Sequence, residues 1–479
     1  MRGTVVTGRR VVVIGGGLAG ITAAIALRDA GAEVTMLESR PRLGGAATSY
    51  ARAGMMVDNG QHVFLRCCTS YRGLLARLGV TGSVAIQDRF DVTVLAPGGR
   101  ARLRRSALPS PLHLARALAS YPLLSLAERA RVGRAALAFR FADPASTALD
   151  GQRLGDWLAA RGQGERARRR LWDLFIISAL NIDGDEASTA LAATVIKTAL
   201  LGRSDAADIG MASVPLGRLH AEATAALLGR IGAQIRLGAR ATSIERLASG
   251  GFLVRVGRGE RAGDDGEDTS DAADSEAVMA DGVVLAVPPG QAARLAATAG
   301  ASQDAGWTGL GHSPILNVHV IYDRPITDLP FAAAVDSPVQ WVFDKTRQAG
   351  LDNGQYLAVS VSAADDLVDV PTAEIRELFV PALQRLFPAA ANALIRDFFV
   401  TRERRATFRQ APGCGALRPG AGTPVPGLVL AGAWTATGWP DTMEGAVRSG
   451  HNAARELISA LAGLPAADLQ LDSAWSGAS

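Results

Sequence analysis

The stretch from Val11 to Gly45 constrains this chain more than any other. It opens with Val11-Val12-Val13-Ile14, β-branched and apolar throughout, as suits a strand buried on both faces. Gly15-Gly16-Gly17-Leu18-Ala19-Gly20 comes next and fits G-x-G-x-x-G. Ile21 to Asp29 favours a helix, and Gly31 stands where such a helix would end. Glu33 to Glu38 reads as a second strand with an acid at its tip.

Each part has a physical task. Gly15 permits the tight turn out of the strand, Gly17 lets the backbone approach a pyrophosphate, and Gly20 lets the helix pack closely on the sheet. The helix N-terminus offers free N–H groups and positive partial charge to phosphates, and Leu18 and Ala19, just before it, are expected to contact the cofactor. Glu38, about 20 residues on, can accept hydrogen bonds from ribose hydroxyls. The residues just after this acid separate flavin from nicotinamide. Ser39 and then Arg42-Leu43-Gly44-Gly45 resemble the second conserved segment of the FAD-binding amine oxidase and phytoene desaturase superfamily.

The chain's 479 residues give room for two or more domains. A net charge of +4 is small for that length and does not suggest a nucleic-acid partner. Cys67, Cys68 and Cys414 show no C-x-x-C spacing, so neither a metal site nor a disulfide framework is expected, and a reducing compartment is the simplest reading. Met1 to Arg10 lacks the apolar core of a signal peptide, and no segment reads as a membrane span. A cytoplasmic protein is expected, in contact with the inner face of the cell membrane at most.

Asp58-Asn59-Gly60-Gln61-His62 is turn chemistry opening an apolar segment, and by itself His62 could be an ordinary core histidine. Behind a dinucleotide motif and R-L-G-G, however, D-N-G-Q-H closely resembles the squalene-associated FAD-dependent desaturases, understood as hydroxysqualene dehydroxylases of bacterial hopanoid synthesis. The resemblance places Gly60, Gln61 and His62 beside the isoalloxazine or the substrate tunnel. His62 is the candidate acid, since histidine titrates near neutrality.

Between Arg100 and Arg140 stand nine arginines and one acid, Glu128, among leucines and alanines. Prolines at 109, 111 and 122 punctuate short helices. Solvated arginines on a cap of amphipathic helices are one reading; a basic, partly apolar face lying on a membrane is the other. Further helices are expected over 154–158, 167–179 and 189–200. Met211 to Leu219 resembles the superfamily's return from cap to FAD domain, after which the backbone near Ala241 would touch adenine. Gly257 to Glu276, with eight acids, reads as a polar loop.

The closing signal is Leu428 to Trp434, a buried strand, then a loop, then Thr442-Met443-Glu444-Gly445-Ala446-Val447-Arg448-Ser449-Gly450. Asp441 and Glu444 have capping-box spacing, with Asp441 as N-cap. In the resembled family this segment carries the flavin through Gly432, the residue at 433, Met443 and Glu444. The helix start would stabilise negative charge on reduced flavin. The family usually has Gly-Asp where this chain has Gly432-Ala433. Loss of one charge-assisted hydrogen bond costs roughly 1.5–3 kcal/mol, so FAD binding is expected to persist but weaken, about ten- to a hundred-fold. An Ala433→Asp variant should bind FAD more tightly; unchanged affinity counts against that explanation.

The expected fold is α/β: a Rossmann-type FAD-binding domain of the p-hydroxybenzoate hydroxylase type with an inserted α+β substrate domain. The FAD domain takes 1–82, 211–300 and 396–465. The helical cap takes 83–210, the substrate sheet 301–395, and 466–479 is a tail. The resemblance implies an FAD-dependent oxidoreductase acting on a long-chain isoprenoid, delivering hydride from flavin N5 to an allylic carbon as hydroxyl leaves. It does not identify the electron donor. A carotenoid-type desaturase, an amine oxidase and a flavin-free prenyl-lipid carrier are the alternatives.

Overall fold

The computed structural model describes residues 5–258, 276–301 and 306–466. Most of the acidic 257–276 loop and nearly all of the 466–479 tail lie outside them. Five parallel strands form one sheet in the spatial order 234–237, 33–38, 10–14, 282–285, 428–430. The central strand is apolar because it is covered on both faces; Val11 to Ile14 are buried. Helix Leu18–Asp29 is buried from Leu18 to Leu27. Helix Met443–Ala462 crosses it so closely that a Cβ at Gly450 would lie 2.4 Å from the Ala19 carbonyl oxygen. Both helices leave the C-terminal edge of the parallel sheet, where ligands of such folds bind.

A seven-stranded sheet forms the second layer, in the order 395–407, 313–322, 355–362, 341–344, 331–334, 91–96, 99–104. Every pairing is antiparallel except 331–334 with 91–96. Strand Ser313–Tyr322 shows why this sheet has two uses. Leu316, Val318, Val320 and Tyr322 join the core that holds Ile375, Phe379 and Leu383 of helix Thr372–Leu386. Period-two alternation then sends Asn317 and His319 to the opposite face, toward Asn59 and Tyr356. Four apolar residues on one face determine where two polar ones go.

Two expected boundaries move. The 83–210 segment is not helical from its start. The hairpin Asp91–Ala96 and Gly99–Arg104 completes the substrate sheet, and helix begins at Leu112. Alternating Val92, Val94, Ala101 and Leu103 bury one face of that hairpin, and the parallel pairing to 331–334 recruits it across more than two hundred residues. Likewise 396–465 does not lie wholly in the nucleotide-binding unit, because Ile395–Thr407 is the outer strand of the substrate sheet.

The cap packs Phe139 between Trp157 and Trp172, with ring centroids 4.1 and 5.6 Å away. Its helix Leu126–Phe141 begins with a formed capping box between Ser125 and Glu128. Leu126 and Phe141 are each 78% exposed, and Leu108, Leu112 and Leu137 are also exposed. Among the described residues no helix is long and apolar enough to cross a membrane.

Candidate functional site

At the sheet edge Gly15, Gly20 and Gly45 each meet backbone first. A Cβ at Gly15 would lie 2.2 Å from the Ala286 carbonyl oxygen, and one at Gly20 would lie 2.0 Å from that of Gly15. Gly45, at φ +58°, would bring a Cβ within 2.8 Å of Gly17 Cα. Gly17 is the N-cap of the first helix and Gly44 N–H donates to the Gly16 carbonyl at 2.9 Å. Backbone from 15–20 and 44–45 thus forms a bare cradle at a helix N-terminus, which fits a diphosphate. Glu38 accepts from Gly16 N–H at 2.6 Å and Arg40 N–H at 2.8 Å, with Ser39 Oγ at 3.3 Å. Arg42 Nε donates to Thr48 Oγ1 at 3.1 Å. Ala241 lies on strand Ala239–Arg246, whose start is tied to this corner by Gly238 N–H donating to the Arg40 carbonyl.

The 58–62 segment is fixed from three sides. Asp58 Oδ1 accepts from Ser49 Oγ at 2.6 Å and Leu216 N–H at 3.0 Å. Its Oδ2 accepts from Lys345 Nζ at 3.0 Å and Gln348 Nε2 at 2.9 Å. Lys345 is buried, and that burial lowers its pKa. Asn59 bonds Thr48 N–H, the Ala46 carbonyl and Glu403, while its own carbonyl accepts from Asn317 and Thr401. Gly60 leaves room for Asn317, whose Nδ2 would stand 3.1 Å from a Cβ there. Gln61 Oε1 is buried with no partner among the described residues, as an atom awaiting a ligand donor would be.

His62 Nδ1 lies 3.1 Å from the Gly60 carbonyl. A carbonyl only accepts, so Nδ1 carries the proton and Nε2 of the neutral ring is an acceptor. Burial lowers the His62 pKa, against the raising effect of that bond. At neutral pH the ring therefore has no acidic proton to give, which weakens the expectation that His62 acts as the acid.

The helix that closes the site does not begin as expected. Thr442, not Asp441, is its N-cap, its side chain accepting from Gly445 N–H at 3.1 Å. Asp441 instead accepts from Phe408 N–H at 2.9 Å, and burial pushes it up to about 6. Glu444 accepts from Ser70 N–H at 3.2 Å, Tyr71 N–H at 2.7 Å and Arg448 Nε at 2.7 Å. It thus caps helix Thr69–Leu78 from across the fold, where a tertiary contact outcompetes the local box. Met443 opens the closing helix, directly after Thr442.

Lys345, Asn317, His319, Glu403 and Arg418 join the site region without any local sequence signal. His319 bonds Tyr356 Oη at 2.7 Å and Thr401 Oγ1 at 3.1 Å, and stacks on Phe399 at 4.4 Å. Burial draws His319 down to about 3 and His220 to about 4. A histidine held below its unfolded value near 6.5 stabilises the fold above that pH and loses the contribution as pH falls toward the folded value. Each should contribute about 1.4 kcal/mol less per pH unit over that window. Urea midpoints should therefore drop between pH 7.5 and pH 5, and drop less in His319→Gln; an equal drop in both proteins contradicts this.

Residues 18–458 match the family model described as flavin containing amine oxidoreductase. The chain is 30% identical over 462 residues to a hydroxysqualene dehydroxylase of Rhodopseudomonas palustris, covering 94% of this chain and 99% of that one. It is 26% identical to a probable zeta-carotene desaturase of Synechococcus elongatus, covering 95% and 99%. A putrescine oxidase structure with putrescine bound superposes with a TM-score of 0.69 at 19% identity, over 94% and 99% of the two chains; that likeness speaks for the fold alone.

Proposed function

The chain belongs to the flavin containing amine oxidoreductase family and is an oxidoreductase, and from that premise we propose that it uses FAD to remove the hydroxyl of hydroxysqualene reductively, giving squalene for hopanoid synthesis. The observation that carries this reading is the 30% identity to a hydroxysqualene dehydroxylase over essentially the full length of both chains. Bound reduced FAD would supply the hydride; the alcohol becomes the hydrocarbon, and the hydroxyl leaves as water after taking one proton.

This chain's residues do the remainder. The backbone cradle at 15–20 and 44–45, with Glu38, would hold the adenine-side half of the cofactor. Ala241 would lie along the adenine. Gly60 and Gln61 would flank the ring, while Gly432, Ala433 and Met443 would line its closing side. His62 Nε2 would accept a hydrogen bond and orient the substrate hydroxyl, while Asp441 offers a second titratable group. Apolar side chains between the cap and the substrate sheet, among them Phe175 and Trp341, suit a long isoprenoid and exclude water.

A second reading, a carotenoid-type desaturase, is favoured by the 26% identity to a zeta-carotene desaturase. An amine oxidase would need an aromatic cage, yet Tyr71, Tyr121, Tyr322 and Tyr356 of the five tyrosines are each at most 1% exposed. Incubation with hydroxysqualene and with zeta-carotene side by side separates these readings. Squalene from the first is expected; desaturated carotenoid from the second, with no squalene, overturns the proposal. The exposed Leu108, Leu112, Leu126, Leu137 and Phe141, among the arginines of 100–140, would rest on the anionic inner face of the membrane, where the substrate resides. Cosedimentation with anionic but not neutral vesicles tests that placement; equal recovery with both would contradict it.

A further inference from the structure

Arg418 is 9% exposed, and the hydrogen bonds of its side chain among the described residues run to one short segment. Nη2 donates to the Ala433 carbonyl at 2.9 Å, the Thr435 carbonyl at 2.5 Å and Thr437 Oγ1 at 3.2 Å; Nε donates to the Trp434 carbonyl at 3.4 Å. No carboxylate pairs with it among the described residues, although Asp441 is near enough to favour its charge. Its aliphatic and planar parts are walled in by Phe408, whose ring centroid is 5.0 Å from Cζ. Burying a guanidinium without a carboxylate partner is costly, so the carbonyls it gathers must return that energy through geometry worth keeping.

The geometry comes from peptide planarity. In a trans peptide the N–H points opposite to the preceding carbonyl. Drawing the Ala433 carbonyl onto Arg418 therefore turns Trp434 N–H away from it. The Gly432 carbonyl is held by Thr435 N–H and Thr435 Oγ1, both at 2.9 Å, which turns Ala433 N–H outward in the same manner. Neither Ala433 N–H nor Trp434 N–H has a partner among the described residues. They adjoin the first turn of helix Met443–Ala462, where a Cβ at Gly445 would lie 3.5 Å from the Ala433 Cβ. Gly432, at φ +149°, permits the turn, and Trp434 Nε1 anchors it to the Val287 carbonyl at 3.1 Å. Two adjacent free N–H groups beside a helix start suit phosphate or polyol oxygens.

We propose that Arg418 is a positioning residue that clamps the 433–435 carbonyls and so aims the N–H groups of Ala433 and Trp434 at the phosphate or ribityl oxygens of the cofactor, replacing the side-chain contact that Ala433 cannot make. This rests on the reading of the chain as an FAD protein. The full-length apoprotein is titrated with FAD by flavin fluorescence, using wild type, Arg418→Met and Arg418→Lys, and apoprotein thermal midpoints are recorded for each. The Met variant should bind FAD about ten-fold or more weakly, and the Lys variant, which keeps three donors and the charge, should recover part of that loss. If the Met variant does not fold, Thr437→Val removes one contact of the clamp and should still weaken FAD binding. Unchanged affinity in the folded variants, or a Lys variant no better than Met at equal thermal midpoint, overturns the positioning role while leaving the flavin reading intact. A wild-type chain that binds no FAD sinks both.

Discussion

Replacing Asp58 by alanine should destabilise the protein by about 3–5 kcal/mol, the cost of leaving a buried charge without its partner. Asp58 receives four donors from three separate segments: Ser49, Leu216 N–H, and the Lys345 and Gln348 side chains of one short helix and its cap. Lys345 and Asp58 have side chains only 8% and 5% exposed, so water cannot take over when the carboxylate is removed. Lys345 would either stay charged without a counter-ion or lose its proton, in the direction burial already drives it. The double variant Asp58→Ala with Lys345→Met should regain much of the loss, since it removes the orphaned charge. Chemical denaturation of the four proteins of this cycle measures it. A double variant as unstable as the sum of the two single losses would show that the pair is not coupled. Because the pair ties the 58–62 segment to the substrate sheet, cofactor affinity should fall in the single variant as well.

The second large effect is expected at Gly20. An alanine there would put its Cβ 2.0 Å from the Gly15 carbonyl oxygen and 3.1 Å from Ala286 Cβ. The first obstacle is backbone, so no rotamer change relieves it. The helix must lift from the strand, and the cradle between 15–20 and 44–45 opens. Overpacking of this kind costs about 1–3 kcal/mol, and the purified variant should be colourless and take up no added FAD. Gly133 is the matched control. It lies inside helix Leu126–Phe141 with nothing within 4 Å of its notional Cβ. Gly133→Ala should keep the flavin and gain up to about 1 kcal/mol. A yellow Gly20→Ala protein with wild-type affinity would mean the motif is only a turn.

How much was legible in the sequence depends on how local each signal was. Strand 10–14, helix 18–29 and strand 33–38 were readable because apolar runs, glycine spacing and a terminal acid all sit within thirty residues. Phe90 to Leu95 alternates as a strand does, but the second arm of the hairpin at 99–104 and its membership in the seven-stranded sheet were not legible, since the latter depends on Val94 meeting Ala333. The acid spacing at 441 and 444 misled for the same reason. Ser70, Tyr71 and Phe408 supply N–H donors from elsewhere in the chain, and these won over the local cap. His62 was found by its motif, yet its lowered pKa depends on burial that no motif encodes. Lys345 and Arg418 had no signal at all, being isolated cations in ordinary loops whose partners lie far away or on a segment read only for its glycine and missing aspartate.

The direction of the chemistry is the central claim, and single-turnover oxidation of the reduced protein tests it most directly. The protein, loaded with FAD and reduced anaerobically, is mixed with hydroxysqualene while flavin absorbance and hydrocarbon products are followed together. The predicted result is flavin reoxidation with one squalene formed per flavin. Flavin that stays reduced with the alcohol intact, while oxidised protein converts zeta-carotene, would contradict it.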